Sequence, residues 1–180
     1  MRKDTPFYEL SLPEDSDYEP YGIAYFPQKF ARGALPNAFT EVTAWSPPVA
    51  TLRDGDYFDV LANDQGTNLV YDRLHRFLDS HRAPDDPLQW LPVRVVRGSE
   101  AREYHILRFA RDLQPLHREA TSWIGADYPR IPVLRKELVG RHHVLGIHTF
   151  GYGFVVSAHL RKLLMSEFEG CFCYRPLAVA

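Results

Sequence analysis

Leu69-Val70-Tyr71-Asp72-Arg73-Leu74-His75-Arg76-Phe77-Leu78 and Val155-Val156-Ser157-Ala158-His159-Leu160-Arg161-Lys162-Leu163-Leu164 are the two stretches whose reading decides the fold. They lie 86 residues apart, and three apolar positions coincide: Leu74 with Leu160, Phe77 with Leu163, and Leu78 with Leu164. Their i, i+3, i+4 spacing places each trio on one helical face, with Arg73, Arg76, Arg161 and Lys162 on the wet side. Ser157 stands where an N-cap oxygen accepts a backbone N–H from the first turn. Tyr71 falls at that place in the first stretch, so Asp72 is the expected cap one residue later.

The flanks agree as well. Each helix follows an apolar segment and a turn: Tyr57-Phe58-Asp59-Val60-Leu61 with Asn63-Asp64-Gln65-Gly66, and Val144-Leu145-Gly146-Ile147-His148 with Gly151-Tyr152-Gly153. Each precedes a strand running into proline, Trp90-Leu91-Pro92-Val93 and Tyr174-Arg175-Pro176-Leu177. The unit reads strand, turn, short strand, helix, strand, once over 57–93 and again over 142–179. Two copies in one small domain are expected to lie side by side and share a sheet. Between them, within 94–141, Val93-Arg94-Val95-Val96 and Tyr104-His105-Ile106-Leu107-Arg108-Phe109 flank Gly98-Ser99-Glu100 and predict a β-hairpin. The connector at 111–135 carries Pro115, Pro129 and Pro132, which prevent a long helix. Residues 1–55 read as a proline-rich leader packed on the core, with strands near 7–12 and 22–26 and mostly loop over 29–51. The expected fold class is α+β: one domain over 1–180, a mostly antiparallel sheet, and two main helices from an internally repeated strand–helix–strand unit.

Composition narrows the function classes. The 180 residues carry 21 Lys plus Arg against 23 Asp plus Glu, a net charge of −2, which argues against a nucleic-acid binder that relies on bulk positive charge. Two cysteines exclude a disulfide scaffold. No apolar run approaches the roughly 20 residues of a membrane span. Glu9, Pro13 and Glu14 interrupt any signal-peptide core, so a reduced, cytoplasmic protein is expected. The charge is polarised, however: residues 1–66 hold 11 acids and 5 bases, and the remainder 12 acids and 16 bases. The acidic excess gathers at Glu14, Asp15, Asp17 and Glu19, and again at Asp54, Asp56, Asp59 and Asp64. Such runs are either solvated loops or an acidic face for a basic partner.

A catalytic or metal-binding constellation does not emerge from the spacing. On a strand, adjacent His142 and His143 point to opposite faces, and His148 and His159 add no close acidic or thiol ligand. Cys171-x-Cys173 reads as two small apolar side chains. Ser157 lacks the Gly-x-Ser-x-Gly elbow of a hydrolase, and Gly151-Tyr152-Gly153 falls short of a phosphate loop. Asp54, Asp56 and Asp64 are out of EF-hand register. The expectation is therefore no enzyme, no cofactor and no metal.

The order of segments supplies a functional reading. Asp86-Pro87-Leu88-Gln89-Trp90-Leu91-Pro92-Val93-Arg94-Val95, Tyr104-His105-Ile106-Leu107-Arg108-Phe109, Leu113-Gln114-Pro115-Leu116 through Ser122, Phe154-Val155-Val156-Ser157 and Gly170-Cys171-Phe172-Cys173-Tyr174-Arg175-Pro176 follow one another over roughly 57–179. In that order and spacing the chain resembles a family of bacterial polymorphic-toxin immunity proteins of myxobacterial type. The resemblance implies a protein that neutralises a cognate toxin, encoded nearby, by direct binding and occlusion. The acidic stretches are then the expected contact: Glu14, Asp15, Asp17, Tyr18, Glu19, Asp54, Asp56, Tyr57 and Asp64, with Tyr18, Tyr21 and Tyr57 as exposed anchors. The alternatives are a non-catalytic small-molecule or peptide module with a pocket lined by His and Tyr, and an enzyme of unrecognised type.

Overall fold

The computed structural model describes residues 7–11, 22–27, 39–148 and 153–180. In chain order the first strands are β1 (Phe7–Ser11), β2 (Ile23–Tyr25), β3 (Val49–Asp54), β4 (Val60–Asn63) and β5 (Asn68–Tyr71), followed by helix α1 (Asp72–His81). Then come β6 (Leu88–Arg97), β7 (Glu100–Phe109), β8 (Ser122–Ile124), β9 (Tyr128–Ile131), β10 (Val133–Leu134) and the short α2 (Lys136–Val139). The last elements are β11 (Val144–Gly146), β12 (Phe154–Ser157), α3 (Ala158–Glu167) and β13 (Cys173–Val179). The fold is mixed α and β with sheet predominant. The span read as one domain divides into two compact units, one made of Met1–Pro13, His81–Pro87 and Asp112–Ala180, the other of Glu14–Ser80 and Leu88–Arg111.

The second of these units is a closed barrel in the order β2-β3-β6-β7-β5-β4. Its longest pairing is the expected hairpin, β6 with β7, in register from Leu88↔Phe109 to Arg97↔Glu100. Gly98, at φ +59°, opens the two-residue turn, where tight hairpins require a positive φ. Inward positions of the strands, among them Leu61, Leu69, Leu91, Val93, Val95 and Ile106, form its core with Tyr104. Tyr104 is wholly buried, and its hydroxyl donates to the Phe58 carbonyl at 2.8 Å, which satisfies the one polar group it carries inward.

The other unit is built on a five-stranded sheet, β10-β13-β1-β12-β11, with β8 and β9 forming a separate two-stranded hairpin. Its core gathers Phe7, Leu134, Val139, Leu145, Ile147, Val155 and Leu177. Helix α3 packs on β1 and β12 through buried Leu160 and Leu164. Its N-cap is the expected one: Ser157 Oγ accepts from Leu160 N–H at 3.2 Å. Asp72, by contrast, is already inside α1, and its carboxylate is directed along the helix to Arg76 and His75.

With β2 set aside, both sheets have one strand order. β3-β6-β7-β5-β4 answers to β10-β13-β1-β12-β11, and in each the first pair is parallel and the others antiparallel. The registers correspond as well. Tyr71↔Tyr104↔Val93 answers to Ser157↔Phe7↔Leu177, and Val60↔Val70 to Val144↔Val156. The sharing of one sheet expected from the sequence does not occur: β4 to β6 lie in the barrel and β11 to β13 in the five-stranded sheet. The reason is that the place held by β7 in the barrel is filled in the other sheet by β1, from the far end of the chain. Two segments read as irregular are strands. β3 was hidden by its inverted pattern, small Ala50 inward and Val49 outward. β8 and β9 lie in the proline-bearing connector, where Pro129 is accommodated because this sheet has only edges.

Gly22 seats β2 in the barrel, its N–H donating to Asp56 O at 3.1 Å. A Cβ there would stand 2.4 Å from Leu52 Cδ1 and 2.5 Å from Asp56 O, and the backbone atom cannot yield cheaply. Gly22→Ala should therefore lower stability by about 1–3 kcal/mol in denaturant unfolding. Gly140→Ala, where the nearest atom would be 3.4 Å away, serves as the control and should change stability by less than about 1 kcal/mol.

Candidate functional site

The described members of the expected acidic face gather around β2. Asp54 ends β3 opposite Ile23. Asp56 accepts the Gly22 N–H through its carbonyl, and the Asp64 carboxylate accepts from Phe26 N–H at 3.0 Å on the other side of the strand. The face is not purely acidic, because Arg97 pairs with Asp56 at 2.8 Å and the Arg53 guanidinium covers the Tyr25 ring at 4.7 Å. Tyr57, expected as an exposed anchor, is half-buried against the barrel core. Its hydroxyl lies 3.3 Å from the Glu100 carbonyl, and the Arg102 guanidinium sits 4.2 Å over its ring. Burial, and then Glu100, push its hydroxyl pKa up. Glu14, Asp15, Asp17, Tyr18, Glu19 and Tyr21 lie outside the described residues.

His142 and His143 are held by one buried carboxylate. Asp86, 6% exposed, accepts from the N–H groups of Ala83 (2.8 Å), His143 (3.0 Å) and Val144 (3.0 Å), and lies 3.0 Å from His142 Nδ1. His143 turns its own Nδ1 to Ser157 Oγ at 3.0 Å, with the His159 ring 5.6 Å away. This resembles two members of a nucleophile–base–carboxylate relay, but Asp86 meets the backbone of His143 and not its imidazole. The serine, 8% exposed, already accepts the capping bond of α3. The cluster ties β11 to the start of α3 and to the 81–87 segment.

The surface that sequence reasoning missed is the β8–β9 hairpin. Ile124 and Tyr128 are direct cross-strand partners and both point outward, at 57% and 61% exposure; Ile131 is 60% exposed. On the same hairpin, Trp123 is half-buried and paired with buried Pro129, its Nε1 donating to the Arg118 carbonyl at 2.9 Å. Thr121 pins the base by exchanging hydrogen bonds with both the N–H and the carbonyl of Val133. Gly125, at φ +66° between two short apolar runs, was the available signal. Beside the hairpin lies a cleft of about 570 Å³ lined by Leu116, Arg118, Trp123, Asp127, Arg135, Ile147 and His148 among others. Among the described residues its lining holds one histidine and no tyrosine. Among the described residues no helix is long and apolar enough to cross a membrane.

Compared with known proteins, the chain matches no protein-family model and no curated protein.

Asp86→Ala should cost about 3–5 kcal/mol in denaturant unfolding, because three N–H donors and an imidazole lose a buried acceptor at once. Ser157→Ala removes the cap of α3 and the partner of His143 Nδ1 and should cost about 1–2 kcal/mol.

Proposed function

We propose that this chain is an immunity-type protein, which neutralises a toxin by binding and occluding it, with no chemistry of its own. The observation that carries the reading is the concentration of exposed apolar side chains on one braced hairpin. Of the five large apolar residues that stand exposed among those described, three, Ile124, Tyr128 and Ile131, belong to β8 and β9, whereas Val49 on β3 and Met165 on α3 stand elsewhere. Ile124 and Tyr128 are cross-strand neighbours, and an exposed aliphatic and aromatic pair of this kind is what a protein–protein contact uses as an anchor. A hairpin already pinned at Thr121 and Trp123 would lose little conformational freedom on binding. The order of sequence segments supports the same reading. Asp54 and Asp64 supply a separate acidic contact that would speed encounter with a basic partner, whereas Asp56 is partly neutralised by Arg97.

We also infer that the two units arose as copies of one strand–helix–strand design. The support lies in the shared strand order, in matching registers, and in buried pairs such as Leu74 with Leu160 and Leu78 with Leu164. A second functional reading, a site for an anionic small molecule or peptide, is favoured only by the two guanidinium groups, Arg118 and Arg135, in the cleft.

Co-expression with the toxic domain encoded by the adjacent reading frame tests the proposal. Growth should be restored, and the purified pair should form a one-to-one complex. Ile124→Asp with Tyr128→Ala should weaken it about 30-fold, equivalent to the loss of a 2 kcal/mol hot spot. Asp54→Lys with Asp64→Lys should mainly slow association at low salt. No complex at micromolar concentration overturns the immunity reading; undiminished affinity in the hairpin variant removes that surface.

A further inference from the structure

The first turn of α1 and the strands beneath it gather side chains that the proposed partner surface does not use. Asp72 and His75 are three residues apart on α1 and share a face, while His105 stands on β7 opposite Val70. One ligand atom from each of the three lies within 4.8 Å of the other two. The Asp72 Oδ2 atom is taken by Arg76; Oδ1 stands 3.7 Å from His75 Nδ1, within ion-pair reach but too far for a hydrogen bond. The Nδ1 atoms of both His75 and His105 are buried and make no hydrogen bond. The His75 ring packs on His105, centroids 4.0 Å apart, and on Trp90 at 4.6 Å. Burial first, and His75 second, hold His105 below the ordinary histidine range, against the opposing pull of Asp72 and Glu103.

The matching place in the other unit shows what kind of group belongs here. By helix position and strand register, Asp72, His75, His105 and Trp90 answer to Ala158, Arg161, Tyr8 and Tyr174. There the Arg161 guanidinium lies 4.5 Å from the Tyr8 ring centroid and 5.3 Å from that of Tyr174, a permanent cation held over two rings. The barrel keeps one aromatic wall, Trp90, and has two imidazoles and a carboxylate in place of the guanidinium and its partners. We propose that Asp72, His75 and His105 bind a divalent transition metal, zinc foremost, which takes the place of that fixed positive charge. Two nitrogens and one oxygen form a donor set that zinc accepts. Tetrahedral bonds of 2.0–2.1 Å put ligand atoms about 3.3 Å apart, so side-chain adjustments of about 1 Å close the site. Three protein ligands leave a fourth position for water or an incoming ligand.

Titration of the full-length chain, stripped with chelator, with zinc chloride by calorimetry and with cobalt by visible absorption tests this. The expected result is one equivalent bound, a tetrahedral cobalt spectrum, and a raised Tm. His75→Ala and His105→Ala should each weaken binding by more than about tenfold, since loss of even an outer-shell partner costs 10–100-fold. His143→Ala with His159→Ala should leave it unchanged. Imidazole nitrogen NMR of the wild-type chain needs no variant: zinc should move the signals of His75 and His105. No binding in zinc excess, binding undiminished in both ligand variants, or movement confined to other histidines overturns the site.

Discussion

One backbone hydrogen bond fixes the corner on which each unit is built. In the barrel Tyr71 N–H donates to Asp59 O at 2.8 Å; in the other unit Ser157 N–H donates to His143 O at 2.9 Å. In both, the strand ends and the helix begins at the next residue. With no linker to absorb error, the register of the strand dictates which helical face turns inward. Leu74 and Leu78, like Leu160 and Leu164, are wholly buried as a consequence. The same geometry sets the helical residue one turn on, His75 or Arg161, over the two strands beneath it.

Around that corner the two units differ in chemistry. The pair flanking the bond is Asp59 with Arg73 in one unit, 3.5 Å apart, and His143 with His159 in the other. Burial raises the Asp59 pKa while Arg73 pulls it down, so the ion pair offsets part of its own desolvation. In the unit of the five-stranded sheet the Ser157 hydroxyl and the His143 imidazole do the same structural work, and Asp86 accepts from the His143 N–H. Polar groups at these corners are recruited to hold backbone. That explains why residue types with catalytic potential gather there without forming a relay.

Helices α1 and α3, the long hairpin and the Ser157 cap were legible in the sequence because each rests on a local pattern, whereas the short α2 was not. Amphipathic spacing and a Gly-Ser turn are local statements. The assembly of the sheets was not legible, since β1 pairs with β12 and β13 across most of the chain, and no local pattern encodes that choice. Tyr57 looked exposed beside Asp54 and Asp56, yet an aromatic next to acids is equally suited to lie under an arginine, as it does under Arg102. His75 and His105 were not associated because their proximity requires both the helix phase and the β5–β7 register. Asp54, Asp56 and Asp64 meet around β2, but Arg97, which pairs with Asp56, comes from β6, in the part of the chain that the charge count set apart as basic.

The placement of β1 has a consequence for how the polypeptide is made. Every strand of the barrel lies between Ile23 and Phe109, so that unit can complete its hydrogen bonding as soon as this stretch leaves the ribosome. β1 emerges earlier than all of them, while β12 and β13, the neighbours on either side of it, are synthesised only after the barrel strands. During that interval Phe7–Ser11 is an unpaired strand with two open edges, a state prone to mispairing. Maturation of the five-stranded sheet is therefore bound to be the late event, and truncation near the carboxyl end would strand the first element of the chain without its partners.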